Sequence, residues 1–98
     1  MVQSAEQEML DAVAYYELRV DGLGRTFLDS IALAIKEIGD FPERWPIASQ
    51  EVRRRLVSRF PYSLFYRVDP DEVIVLAVAH HRRRPTYWLG RSSRNRKQ

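Results

Sequence analysis

The chain has 98 residues, 45% of them hydrophobic and 30% charged, and it contains no cysteine. A chain of this length supports one modest core; it excludes repeat arrays, disulfide scaffolds, thiol nucleophiles and zinc–thiolate centres. The net charge of +3 is unevenly divided, with −6 over residues 1–51 and +9 over residues 52–98, a pattern suited to a basic face that meets a polyanion or an acidic protein segment.

Taken in chain order, Ser4 and Gln7 have the spacing of a capping box, and Ala5, Met9, Ala12, Val13, Tyr16 and Val20 recur at helical intervals. Together they predict an amphipathic helix of about four turns. Asp21-Gly22-Leu23-Gly24 ends it with a tight reversal. This glycine pair lacks the third glycine and the preceding strand of a phosphate-binding loop, so it reads as a turn. A second helix is expected from Arg25 to Ile38, with Phe27, Ile31, Ala34, Ile35 and Ile38 along one stripe and Gly39 as its C-cap. Asp40–Gln50, broken by Pro42 and Pro46, reads as a loop anchored by Phe41 and Trp45.

From Val52 the period becomes 2. Val52, Leu56 and Phe60 point one way, and Arg53, Arg55, Val57 and Arg59 the other. Phe60-Pro61-Tyr62 turns the chain into a second strand, Ser63–Val68, where Ser63, Phe65 and Arg67 alternate with Leu64, Tyr66 and Val68. The Asp69–Glu72 turn leads into a third strand, Val73–Ala79, apolar on both sides. A short helix over Pro85–Leu89 and a basic, flexible tail over Ser92–Gln98 complete the chain. The expected class is α+β, a single domain over residues 1–98, with an antiparallel helical hairpin packed on a three-stranded antiparallel meander.

No apolar run approaches the roughly 20 residues of a membrane span, and no basic segment leads into an apolar stretch at the N-terminus. The expected location is therefore cytoplasmic. His80 and His81 are strand neighbours whose side chains point to opposite faces, which disfavours a shared metal, and no metal or cofactor is expected. His80 extends the helix-facing set of Ile74, Leu76 and Val78, whereas His81 lies nearer an open groove. No serine sits in a nucleophile-elbow pattern. What remains is a surface of Arg, His and Tyr, able to bind a phosphodiester or an acidic protein segment.

Several motifs follow one another in a distinctive order. Ala14-Tyr15-Tyr16-Glu17 precedes Gly22-Leu23-Gly24 with Phe27, and then comes Phe41-Pro42-Glu43-Arg44-Trp45-Pro46. Val52-Arg53-Arg54-Arg55-Leu56, Arg59-Phe60-Pro61-Tyr62 and Leu76-Ala77-Val78-Ala79-His80 follow, and the chain closes on Arg83 with Pro85-Thr86-Tyr87-Trp88 and Arg91. From about Ala5 to Arg91 this order resembles the RelE/ParE superfamily of type II toxin–antitoxin toxins, on its ParE-like, plasmid-stabilisation side. The resemblance implies a bacterial or archaeal toxin neutralised by a cognate antitoxin. ParE-like members act on DNA gyrase, and RelE-like members cut messenger RNA on the ribosome.

If the chain were such an endoribonuclease, Arg59, Arg67, His81, Arg82 and Tyr87 would be the catalytic candidates. His81 or Tyr87 would move the proton, because arginine stays charged. Lysines, frequent in such nucleases, are confined to Lys36 and Lys97, so a non-enzymatic inhibitor is the favoured expectation and an inactive interaction module a further alternative. Contacts to antitoxin or target are expected from Arg53, Arg55, Arg59, Arg67, His81, Arg82 and Arg83. The family usually opens with a strand, and Met1–Gln3 is too short to supply one before Ser4. The expectation is therefore a sheet edge left open at Val73–Ala79, to be filled by a second copy in a homodimer or by the antitoxin in a hetero-oligomer.

Overall fold

The computed structural model describes residues 1–92; Ser93–Gln98, most of the basic tail, lie outside the described residues. Two helices, α1 (Gln3–Arg19) and α2 (Leu23–Asp40), are followed by four strands: β1 (Ile47–Ser49), β2 (Val52–Leu56), β3 (Tyr62–Val68) and β4 (Val73–His80). The strands form one antiparallel sheet in the order β1-β2-β3-β4. The α+β class and the helical hairpin are as expected, but the sheet has four strands where three were expected. The additional strand lies inside the stretch read as a loop. It pairs with β2 through Gln50, which takes a left-handed φ of 52°. The C-terminal helix is also displaced. Pro85–Trp88 is irregular, and only Leu89–Arg91 forms a single 3₁₀ turn.

The helices form where their apolar stripes meet the sheet. Phe27, Ile31, Ala34 and Ile38 of α2 pack with Ala5 and Ala12 of α1 against Leu64 and Tyr66 of β3 and Val75 and Val78 of β4. Helix ends differ in detail from expectation. α1 begins at Gln3 with no side-chain cap, and Gln7 donates to Asp11 (2.8 Å) in place of a capping box. Gly39 lies inside α2, which continues to Asp40. The reversal between the helices rests on Gly22, at φ 87°, and on Glu17, whose carboxylate accepts the backbone N–H groups of Gly22 and Gly24 (2.9 Å each).

Gly24 sets the separation of the helices. A Cβ there would lie 2.7 Å from the Val13 carbonyl oxygen and 2.9 Å from Glu17 Oε1. Because the closest obstacle is backbone, Gly24→Ala should force the hairpin apart and cost about 1–3 kcal/mol in urea unfolding. Gly39→Ala, which meets nothing within 4 Å, is the matched control and should be neutral or slightly stabilising, since alanine favours a helix interior.

Register decides which side chains face the helices. Arg53 lies opposite Tyr66 and Arg55 opposite Leu64, so both arginines share the helix-facing side. On β4 a bulge at Leu76 breaks the alternation: Tyr66 pairs with Val75 and Phe65 with Ala77. Val73 and Val75 before the bulge therefore join Val78 and His80 after it on the helix side. The opposite face carries a second apolar cluster of Val52, Leu76, Ala77 and Trp88, with Phe65, Ile74 and Leu89 packed around it. The C-terminal segment thus covers the back of the sheet as the helices cover its front.

β4 lies at the sheet edge, and three of its backbone groups are met from elsewhere in the chain. The Val75 carbonyl accepts from the Val2 backbone N–H (2.9 Å), the Leu76 carbonyl from Arg91 Nη1 (3.1 Å), and the Val78 N–H donates to Glu8 Oε1 (3.0 Å). The edge expected to stand open over Val73–Ala79 is covered in part, at these three points, by a terminal backbone group and two side chains. That removes the need for a second chain to satisfy them.

Candidate functional site

The strand ends and the segment after β4 gather the basic residues into three environments. In the first, the arginine performs a structural task. Arg53 donates to the carbonyls of Glu43 (3.2 Å) and Trp45 (2.7 Å), pinning the loop before β1. Arg55 pairs with Glu37 of α2 and packs over the Trp45 ring. Arg67 is buried, 5% exposed, and makes a bidentate pair with Asp69 (2.8 and 3.1 Å) while also donating to the Ser92 carbonyl. An arginine held by both its nitrogens and by a backbone carbonyl is committed to the fold.

The second environment is a carboxylate hub at the β4 edge. Glu8, on α1, accepts from the Tyr87 hydroxyl (2.7 Å), from Arg91 Nη1 (3.0 Å) and Nη2 (3.2 Å), and from the Val78 backbone. Arg83 approaches the same carboxylate at 3.8 Å, and its guanidinium lies 3.7 Å from the centre of the Tyr87 ring. Burial, followed by the hydrogen bond and charge of Glu8, pushes the Tyr87 hydroxyl up to about 12. It is a poor proton donor near neutrality and is already engaged. This hub forms one wall of a groove of about 730 Å³ between α1 and the end of β4, bordered also by Tyr15, Tyr62, His80 and Arg82.

The third environment is a pocket of about 290 Å³ on the sheet face away from the helices. Ser63, 1% exposed, forms its floor beside Ala79, its cross-strand neighbour. The Ser63 hydroxyl and His81 Nε2 lie 3.0 Å apart. Phe65, stacked on Trp88 with ring centres 4.7 Å apart, supplies an aromatic wall, and Arg54 and Arg84 stand at the rim. His81, Arg82 and Arg84 are exposed, as is Arg59 at the β2–β3 turn, where it takes a left-handed φ of 74°.

The nuclease candidates Arg59, Arg67, His81, Arg82 and Tyr87 are therefore not one cluster. Arg67 is locked to Asp69, the Tyr87 hydroxyl faces Glu8, and Arg59 lies on the hairpin. His81 and Arg82 are adjacent in sequence, but His81 serves the Ser63 pocket while Arg82 borders the larger groove. Of the expected binding set, Arg59, His81, Arg82 and Arg83 present exposed groups, whereas Arg53, Arg55 and Arg67 are absorbed by the fold. His80 and His81 do take opposite faces. His80 packs edge-on against Tyr62 at 5.0 Å, and no group of metal-ligating side chains occurs among the described residues.

Sequence reasoning passed over Glu8, Ser63, Arg54 and Arg84. The Arg67–Asp69 pair was within reach, since residues two apart share a strand face. No local pattern joins Glu8 to Arg91 or Ser63 to His81. No helix of the described residues is long and apolar enough to cross a membrane.

A family model described as the ParE toxin of type II toxin-antitoxin system, parDE, matches residues 2–85. No curated protein matches the chain.

Proposed function

The chain belongs to the ParE toxin family of type II toxin–antitoxin systems, and from that membership we propose that it is a cytoplasmic growth inhibitor, neutralised by direct binding of a cognate antitoxin, whose target is DNA gyrase. The family match across residues 2–85 carries this reading. Support comes from the exposed Arg59, Arg82 and Arg83, which offer cationic contacts to an acidic antitoxin segment or to the target. The commitment of Arg67 to Asp69 and of the Tyr87 hydroxyl to Glu8 favours an inhibitor that acts by binding over a messenger RNA nuclease.

Induced expression should arrest growth, and co-expression of the small acidic protein encoded beside it should restore growth. Purified toxin should inhibit supercoiling by gyrase, with cleaved DNA accumulating in cells. Messenger RNA cut at codon boundaries, with gyrase unaffected, would replace this target by the ribosome. Arg59→Glu and Arg82→Glu reverse exposed charges that have no ion-pair partner among the described residues. Together they should weaken binding to antitoxin or target by at least about tenfold without lowering the melting temperature.

A further inference from the structure

We propose that the pocket floored by Ser63 and His81 is a binding site for the phosphate monoester group of a small ligand carrying a flat ring, the size of a nucleotide. The proposal starts from the polarity of the lining. Ser63, His81, Arg54, Arg83, Arg84 and Thr86 contribute donors or positive charge, and no carboxylate lines this pocket among the described residues. The neighbouring groove, by contrast, has Glu8 and Asp11 beside its arginines. A cavity whose only charged groups are cationic selects an anion.

The donors are also uncommitted in a particular way. Arg53, Arg55, Arg67 and Arg91 are all held by carboxylates or carbonyls. Arg54 and Arg84 have no side-chain partner among the described residues, although they stand at the same mouth. Ser63 is almost completely buried, and its one side-chain hydrogen bond among the described residues is to His81. When the imidazole donates from Nε2, the serine oxygen accepts and its own O–H is released to point at an anion. One hydroxyl, oriented by the imidazole behind it, and two guanidinium groups then face the pocket.

That donor count favours a monoester. A terminal phosphate has three unesterified oxygens to share among these donors, whereas an internal phosphodiester has two. The volume, about 290 Å³, is at the small end of ligand cavities and is suited to one phosphate and one ring. Phe65 and Pro85 give the ring an apolar wall. Thr86, at the rim, is held at a left-handed φ of 63°, the kind of backbone strain that is retained where a site requires it.

The test uses the full chain with adenosine monophosphate, inorganic phosphate and adenosine as probes, followed by calorimetry and by the imidazole resonances of His81. The expected result is saturable binding of the monophosphate that weakens with salt, weaker binding of inorganic phosphate, and none of adenosine. Arg54→Ala with Arg84→Ala should weaken the monophosphate at least tenfold, and Ser63→Ala severalfold. Both arginines are exposed, so the double variant should keep the parental melting temperature and report on binding alone. Three outcomes overturn the site: no saturable binding, equal binding of adenosine and its monophosphate, or undiminished binding by the double arginine variant. An RNA oligonucleotide without a terminal phosphate that binds as tightly as the monophosphate would overturn the monoester assignment. Since neither gyrase nor antitoxin is present, failure here leaves the toxin reading standing, and the reverse is equally true.

Discussion

Trp88→Ala should destabilise the fold by about 3–5 kcal/mol, the range for removing a large aromatic side chain from a core. Trp88 is 1% exposed, stacks on Phe65 and packs with Val52, Leu76 and Ala77. These residues lie on the sheet face that the helices do not cover, so no other element can fill the space the indole leaves. The loss is a large share of the roughly 5–15 kcal/mol that stabilises a typical domain. Urea unfolding followed by circular dichroism measures it. Trp88→Phe, which keeps a ring on Phe65, should recover at least half of the loss. A Trp88→Ala protein with the parental unfolding midpoint would show that the C-terminal segment is an appendage and not a second layer.

Residues at regular intervals were the legible part of this fold. The stripe Phe27, Ile31, Ala34 and Ile38 announces α2 because a period of 3.6 admits no other element of that length, although Ile35, read as part of it, is exposed. β1 is hidden because Gln50 and Glu51, which turn the chain there, are not residues that mark a reversal, and Gln50 adopts its left-handed φ without being glycine or asparagine. The Leu76 bulge is invisible for a related reason. In a strand apolar on both sides, the swap of faces leaves no trace in the pattern. Arginine in a period-2 run normally marks the solvent side. Arg53 and Arg55 depart from this because Glu37, Trp45 and two loop carbonyls receive them beneath the helices. The site was less legible than the fold. Ser63 meets His81 only through the β3–β4 register, and Glu8 meets Tyr87 and Arg91 only once both chain ends reach β4. Chemistry assembled from distant segments leaves no spacing to read.

Glu8→Ala should cost about 2–3 kcal/mol and should also alter association. The carboxylate is 16% exposed and receives the Tyr87 hydroxyl, both terminal nitrogens of Arg91 and the Val78 backbone N–H. Its removal strands a guanidinium and a hydroxyl that were partnered by charge, which costs more than an exposed ion pair returns. Glu8→Gln, able to accept but not to balance Arg91, should lose about half as much. The alkaline limb separates this hub from simple packing. Folding raises the Tyr87 hydroxyl to about 12, while an unfolded tyrosine ionises near 10. The folded protein therefore keeps a proton that the unfolded chain releases. This contribution is complete below pH 10 and is lost as the pH rises from about 10 to 12. Tyr87→Phe should flatten that part of the stability profile, and Glu8→Ala, by lowering the folded value toward the unfolded one, should shorten and shrink it. The same substitution frees the Val78 N–H and loosens Arg91 from the Leu76 carbonyl, exposing an apolar strand edge. Sedimentation velocity at rising concentration should accordingly show Glu8→Ala associating more readily than the parent. Equal association of the two proteins would mean that the Val2 contact alone is enough to close the edge.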